Sequence, residues 1–122
     1  MDYDRDLAFL AVDPEGEERI IGDMRLNRFS DLETAELSFV VADHWQGKGV
    51  AGRLMEFGLM VAKEIGLKTL LMEVMKSNTP MKRFGYKYGF RRLPGTEEDD
   101  MEEVELRIVQ PGESSGFLRT TS

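Results

Sequence analysis

Runs and alternations of apolar side chains divide this chain into strands and helices. Leu7 to Val12 is apolar throughout and reads as a strand, with the turn residues Asp13-Pro14-Glu15-Gly16 behind it. Arg19 to Leu26 reads as its antiparallel partner, and a polar link around Ser30-Asp31 leads to a third strand over Ala35 to Val41. There, period two sets Leu37, Phe39 and Val41 on one face and Glu36, Ser38 and Val40 on the other. The spacing then changes. Val50, Leu54, Phe57 and Val61 recur at helical intervals, so a helix is expected from about Gly49 to Ile65, closed by Gly66.

Thr69 to Met75 is too apolar for a half-exposed strand and is expected near the centre of a sheet. Pro80, behind Asn78 or Thr79, marks the first turn of a short helix that ends at Gly89. Phe90 to Leu93 and Glu103 to Val109 are expected to form a hairpin across an acidic loop. From Gln110 the chain turns to Pro, Gly, Ser and Thr, which gives one domain over 1–110 and a flexible tail over 111–122. Antiparallel strands interrupted by one helical crossover make the fold class α+β. No internal repeat is visible.

Composition narrows the function. A chain of 122 residues is long enough for one domain with a core. It has no cysteine, so disulfides and thiolate metal sites are unavailable, and a cytoplasmic location is expected. No apolar run reaches the roughly 20 residues that span a bilayer, and the acidic start is no signal peptide. With 23 acidic against 16 basic residues, nucleic acid is a disfavoured partner. The run Glu97-Glu98-Asp99-Asp100-Met101-Glu102-Glu103 reads either as a solvated loop or as an attractor of cationic substrates. His44, the single histidine, is expected exposed and makes no metal site alone. Met55, Met60, Met72, Met75 and Met81 read as core filler.

The most informative stretch is Gln46-Gly47-Lys48-Gly49-Val50-Ala51-Gly52, between the third strand and the first helix. Glycines there allow a tight turn and a close ligand approach, and the helix N-terminus offers N–H groups and a positive dipole end to a diphosphate. Gly47 to Gly52 matches the dinucleotide pattern G-x-G-x-x-G, with Glu73 about twenty residues on. Three features oppose that match. The link Ala42 to Gln46 separates strand from glycines, Glu73 sits inside an apolar run, and too little chain follows for a doubly wound sheet. No P-loop Gly-Lys-Ser/Thr is present either.

Val41 to Gly52 closely resembles the acetyl-CoA pyrophosphate loop of the GNAT superfamily of N-acyltransferases, whose pattern is Q/R-x-x-G-x-G/A. A second block is also similar: Leu70-Leu71-Met72-Glu73-Val74, then Asn78, Met81, Phe84 and Gly89-Phe90. The opening Asp2 to Phe9 looks like a segment of the bacterial Pat-type protein lysine acetyltransferases. The resemblance implies a mostly antiparallel twisted sheet with flanking helices, lacking the family's first strand and two N-terminal helices. It implies a fragment of a longer enzyme, with further domains of the same parent chain. The implied activity is acetyl-CoA-dependent acetylation of a primary amine, a protein lysine for a Pat-type enzyme. A small-molecule amine acetyltransferase and a non-catalytic acyl-CoA sensor are the rivals.

The same resemblance implies the site residues. Glu36 matches the glutamate that serves as general base, directly or through water, against the plain reading of a solvent-facing strand glutamate. Glu73 is a second catalytic candidate, because a charge amid Leu70, Leu71, Met72, Val74 and Met75 must reach water, a partner or a cleft; a structural ion pair is its plain reading. Backbone N–H groups over Phe39, Val40 and Val41 would polarise the thioester carbonyl. Gln46 and the N–H groups of Gly47, Lys48, Gly49, Val50, Ala51 and Gly52 would hold the pyrophosphate, with Lys48 and Arg53 adding charge or serving as ordinary surface cations. Asn78 would bond the pantetheine arm, cap the second helix, or both. Many family members carry a tyrosine acid seven residues after the asparagine; here that position is Gly85, with Tyr86 and Tyr88 beyond it. No general acid is assigned.

Overall fold

The computed structural model describes residues 6–16 and 19–108. Six strands form one sheet in the order β1-β2-β3-β4-β6-β5. They are β1 Asp6–Val12, β2 Ile20–Arg28, β3 Thr34–Val41, β4 Thr69–Met75, β5 Arg91–Arg92 and β6 Met101–Arg107. Helix α1, Val50–Glu64, connects β3 to β4, and α2, Thr79–Lys87, follows β4. Every pairing is antiparallel except β3 with β4, which excludes a doubly wound dinucleotide fold.

Both helices pack on one face of the sheet. Leu26, Ala35, Leu37, Leu70, Met72 and Val104 are buried there, while Glu36, Ser38 and Val40 alternate to the other side as period two requires. A side chain at Gly58 of α1 would meet the Met24 sulfur of β2 at 2.5 Å, and one at Gly85 of α2 would meet the Met72 methyl of β4 at 3.1 Å. Small residues therefore set how closely each helix approaches. The buried face of α1 is Leu54, Met55, Gly58 and Ala62, not the expected stripe through Phe57 and Val61. Phe57 is half exposed, although its ring meets Phe9 edge-on at 5.2 Å.

The second helix ends as the Gly89-Phe90 pair suggests. Gly89 adopts φ 101°, Gly89 N–H donates to the Tyr86 carbonyl, and Phe90 N–H donates to that of Gly85, both at 3.0 Å. That pairing closes the helix and drives Phe90 into the core, where it is fully buried. Two expectations need correction. Met60 and Met75 are half exposed and not core filler. The acidic run is not one solvated loop, since β6 begins at Met101 and buries Glu102. The expected tail over 111–122, Val109 and the resemblance at Asp2 to Arg5 lie outside the described residues. Among the described residues, no helix is long and apolar enough to cross a membrane.

Candidate active site

Strands β3 and β4 separate soon after they meet. Their parallel ladder runs only through Thr34–Thr69, Ala35–Leu70 and Glu36–Leu71, and neither strand's remaining residues pair with the other. On its opposite edge β3 stays paired with β2 as far as Val41–Gly22. The gap between the strands is thus lined by β3 backbone whose alternate groups lack a β4 partner. One part of the gap, about 290 Å³, is walled by Glu36, Ser38, Glu73, Met75 and Met101. It meets a larger part of about 670 Å³ at Phe39, Asn78 and Met81, and this larger part reaches Gln46, the glycines and Tyr88.

The loop at the far end is built by local bonds. Asp43–Trp45 forms a single 3₁₀ turn, and the Gln46 amide donates to the Val41 carbonyl at 3.1 Å and to Asp43 Oδ1 at 3.4 Å. The Lys48 ammonium lies over the Trp45 ring, 5.3 Å from its centre. Gly47 and Gly49 adopt φ 79° and 88°, which other residues reach only at a cost, and a Cβ at either would meet nothing within 4 Å. Gly49 is the N-cap of α1 and offers no side-chain cap, and the first helical bond is Arg53 N–H to Gly49 O at 3.1 Å. The N–H groups of the first turn therefore stand open beside the cleft, with no acidic side chain to neutralise the helix dipole.

Carboxylates gather at the other end. Glu73 of β4 stands directly across the ladder from Glu103 of β6. Burial pushes the Glu103 carboxyl up from its ordinary value, and the nearby charges of Glu36 and Glu73 push it further. The expected ion pair for Glu73 is absent among the described residues; its side chain is exposed and shared between the cleft and a recess of about 380 Å³ lined by Thr96, Glu98, Asp99 and Glu103. The neighbouring residue Glu102 points the other way, into the core, and is paired with Lys82 of α2 at 3.2 Å.

The cleft brings together Glu36, Phe39, Val40, Val41, Gln46, Gly47, Gly49, Ala51, Gly52, Glu73 and Asn78. Asn78 caps α2, accepting from Met81 N–H at 3.1 Å, while its amide nitrogen donates no bond among the described residues. Lys48, Val50 and Arg53 do not line the cleft: Val50 packs toward Gly22, and Arg53 is exposed on α1. His44 is likewise exposed and outside it. Gly85 is buried against Met72 and Phe90, so no tyrosine fits there without displacing them. Trp45 and Glu103 were not singled out by the sequence. The first is the chain's one tryptophan and adjoins the glycines, which is its only signal.

The acetyltransferase (GNAT) family model matches residues 2–90. The chain belongs to the GNAT acetyltransferase family. It is 30% identical over 80 residues to YwnH of Bacillus subtilis (strain 168), a protein provisionally named a phosphinothricin acetyltransferase. The match covers 63% of this chain, which spans about half (49%) of that relative's length. Among solved structures, the GNAT domain of S. lividans PAT superposes with a TM-score of 0.78 at 25% identity, covering 88% of this chain and 63% of that one. The PaiA N-acetyltransferase of Thermoplasma acidophilum, in complex with coenzyme A, gives 0.73 at 19%, covering 84% and 61%.

This GNAT domain has the features that coenzyme A requires. The uncapped first turn of α1 suits a diphosphate, and the open space before Gly47 and Gly49 permits its close approach. The unpaired edge of β3 and the free amide nitrogen of Asn78 suit an amide-containing pantetheine arm. Both lie along one continuous cleft.

Proposed function

We propose that this chain is the acetyl-CoA-binding domain of an N-acetyltransferase whose acceptor is a primary amine, the side chain of a protein lysine. The observation that carries the reading is the β3–β4 separation, which joins an open helix N-terminus to a pair of carboxylates, Glu36 and Glu73. Acetyl-CoA supplies the acetyl group as a thioester. Open N–H groups of Gly47 and of Gly49 to Gly52 bind its diphosphate, while the Lys48 N–H donates to the Trp45 carbonyl and Gln46 fixes the loop to the end of β3. Backbone N–H groups of the Phe39–Val41 segment polarise the carbonyl, and Asn78 orients the pantetheine.

A lysine ammonium costs about 4–5 kcal/mol to deprotonate at neutral pH. Glu36, half-buried and on the cleft wall, takes that proton directly or through water, and Glu73 is the second candidate. With no cysteine in the chain to carry an acyl group, transfer is direct. A cytoplasmic location belongs to the same proposal. The lysine acceptor is supported by the likeness to S. lividans PAT together with the opening resemblance to Pat-type enzymes. Similarity to YwnH favours a small amine as the second reading.

The test is to offer acetyl-CoA with a lysine-containing peptide, a peptide whose only amine is its N-terminus, and a set of small amines. Mass spectrometry should place the acetyl group on the lysine side chain. Acetylation confined to the small amines would replace the acceptor assignment with the second reading.

A further inference from the structure

Gly52 is not explained by the pyrophosphate-loop pattern. In Gln46-Gly47-Lys48-Gly49-Val50-Ala51 the last small position, glycine or alanine, is already filled by Ala51. Nor does Gly52 need a glycine's backbone, since it lies inside α1 and outside the left-handed region. A glycine inside a helix is unfavourable relative to alanine. What fills the space beside it is the hydroxyl of Tyr88, 3.2 Å from where a Cβ at position 52 would stand.

Tyr88 reaches this place from α2, at the C-cap. A row of rings holds it: Phe39 meets Phe84 at 5.5 Å between centres, and Phe84 meets Tyr88 edge-on at 5.1 Å. The Lys87 ammonium lies 5.6 Å from the centre of the Tyr88 ring, and Lys87, Tyr88 and Gly52 all line the same large cleft. The Tyr88 hydroxyl makes no hydrogen bond among the described residues, although a phenol can both donate and accept. An uncommitted donor and a cation thus converge on the open first turn of α1.

We propose that Tyr88 is a further donor-binding residue, whose hydroxyl donates a hydrogen bond to the diphosphate of coenzyme A, and that position 52 is glycine to leave room for it. The inference rests on the donor occupying this cleft, as proposed above. It assigns Tyr88 to binding and not to protonation of the leaving thiolate, because its hydroxyl lies at the diphosphate end and away from Glu36 and Glu73.

The experiment is calorimetry on the full chain with coenzyme A, and with pantetheine, which lacks the diphosphate, followed by chemical shifts if its binding is weak. Tyr88→Phe keeps the ring and its packing, so the unfolding midpoint should hold. Its affinity for coenzyme A should fall about tenfold, the size of one hydrogen bond to a charged group, and its affinity for pantetheine should not change. Gly52→Ala should weaken coenzyme A binding when Tyr88 is present and much less in the Tyr88→Phe background, where the space is free. If Tyr88→Phe folds poorly, the Gly52→Ala loss with Tyr88 intact decides the matter, and its absence overturns the proposal. Unchanged coenzyme A affinity in Tyr88→Phe, or equal losses for both ligands, overturns it as well. No coenzyme A binding by the unsubstituted chain would instead overturn the donor reading on which it rests.

Discussion

Glu73 and Glu103 stand directly opposite each other across the β4–β6 ladder, and no ion pair joins either carboxylate to a cation among the described residues. Like charges at such positions destabilise a sheet by a few tenths of a kcal/mol up to about 1 kcal/mol. The Glu103 carboxyl is raised in the folded state, so folding favours its protonated form. Stability should therefore fall as pH climbs from the ordinary carboxylate range through the raised value of Glu103. Glu103→Gln should raise the unfolding midpoint at pH 7, with the gain shrinking in acid. A gain of equal size at pH 4 would contradict this electrostatic account.

Because Glu36 contributes to that upward shift, Glu36→Gln should bring the Glu103 carboxyl back toward its ordinary value. A side-chain carbonyl NMR titration of Glu103 in both proteins reads this directly. No movement would show that burial and Glu73 set the shift without Glu36.

Glu36→Gln should also lower the acetyl-transfer rate by roughly 10²–10⁴-fold, the range of general base catalysis, while leaving coenzyme A affinity nearly unchanged. Initial rates and calorimetry on the same preparation separate the two effects. Equal activity at neutral pH would move the role to Glu73 or to solvent.

Lys82 and Glu102 form a pair with side chains 22% and 6% exposed. Lys82→Met leaves a buried carboxylate unpaired and should destabilise the fold by about 3 kcal/mol. Lys82→Met combined with Glu102→Gln should recover much of that loss in denaturant unfolding. No recovery would mean that the lysine stem, and not its charge, is what the core requires.

The strands were legible because period two and continuous apolar runs mark them directly: the Thr69–Met75 element agrees in both bounds and in its interior place in the sheet. The buried stripe of α1 was not legible. Gly58 and Ala62 carry little hydropathy signal, yet both face the core, where Gly58 lets the helix come against Met24 and Phe57 is left half exposed. Glu36, Asn78 and the glycine loop, singled out through the family resemblance, line one cleft. The nearness of Tyr88 to Gly52 and of Glu103 to Glu73 was not legible, since each pair joins two separate elements.

The central claim is that coenzyme A lies in the cleft opened between β3 and β4, with its diphosphate on the first turn of α1. The most direct measurement is a titration of the isotope-labelled chain with coenzyme A, followed by amide chemical shifts. Shifts should concentrate on the backbone from Gly47 to Gly52 and on the Asn78 side chain. Gly49→Ala should lose most of this response, because its φ of 88° costs an L side chain about 1–2 kcal/mol and the new methyl obstructs the approach. Perturbation of the same amides by NAD but not by coenzyme A would contradict the account.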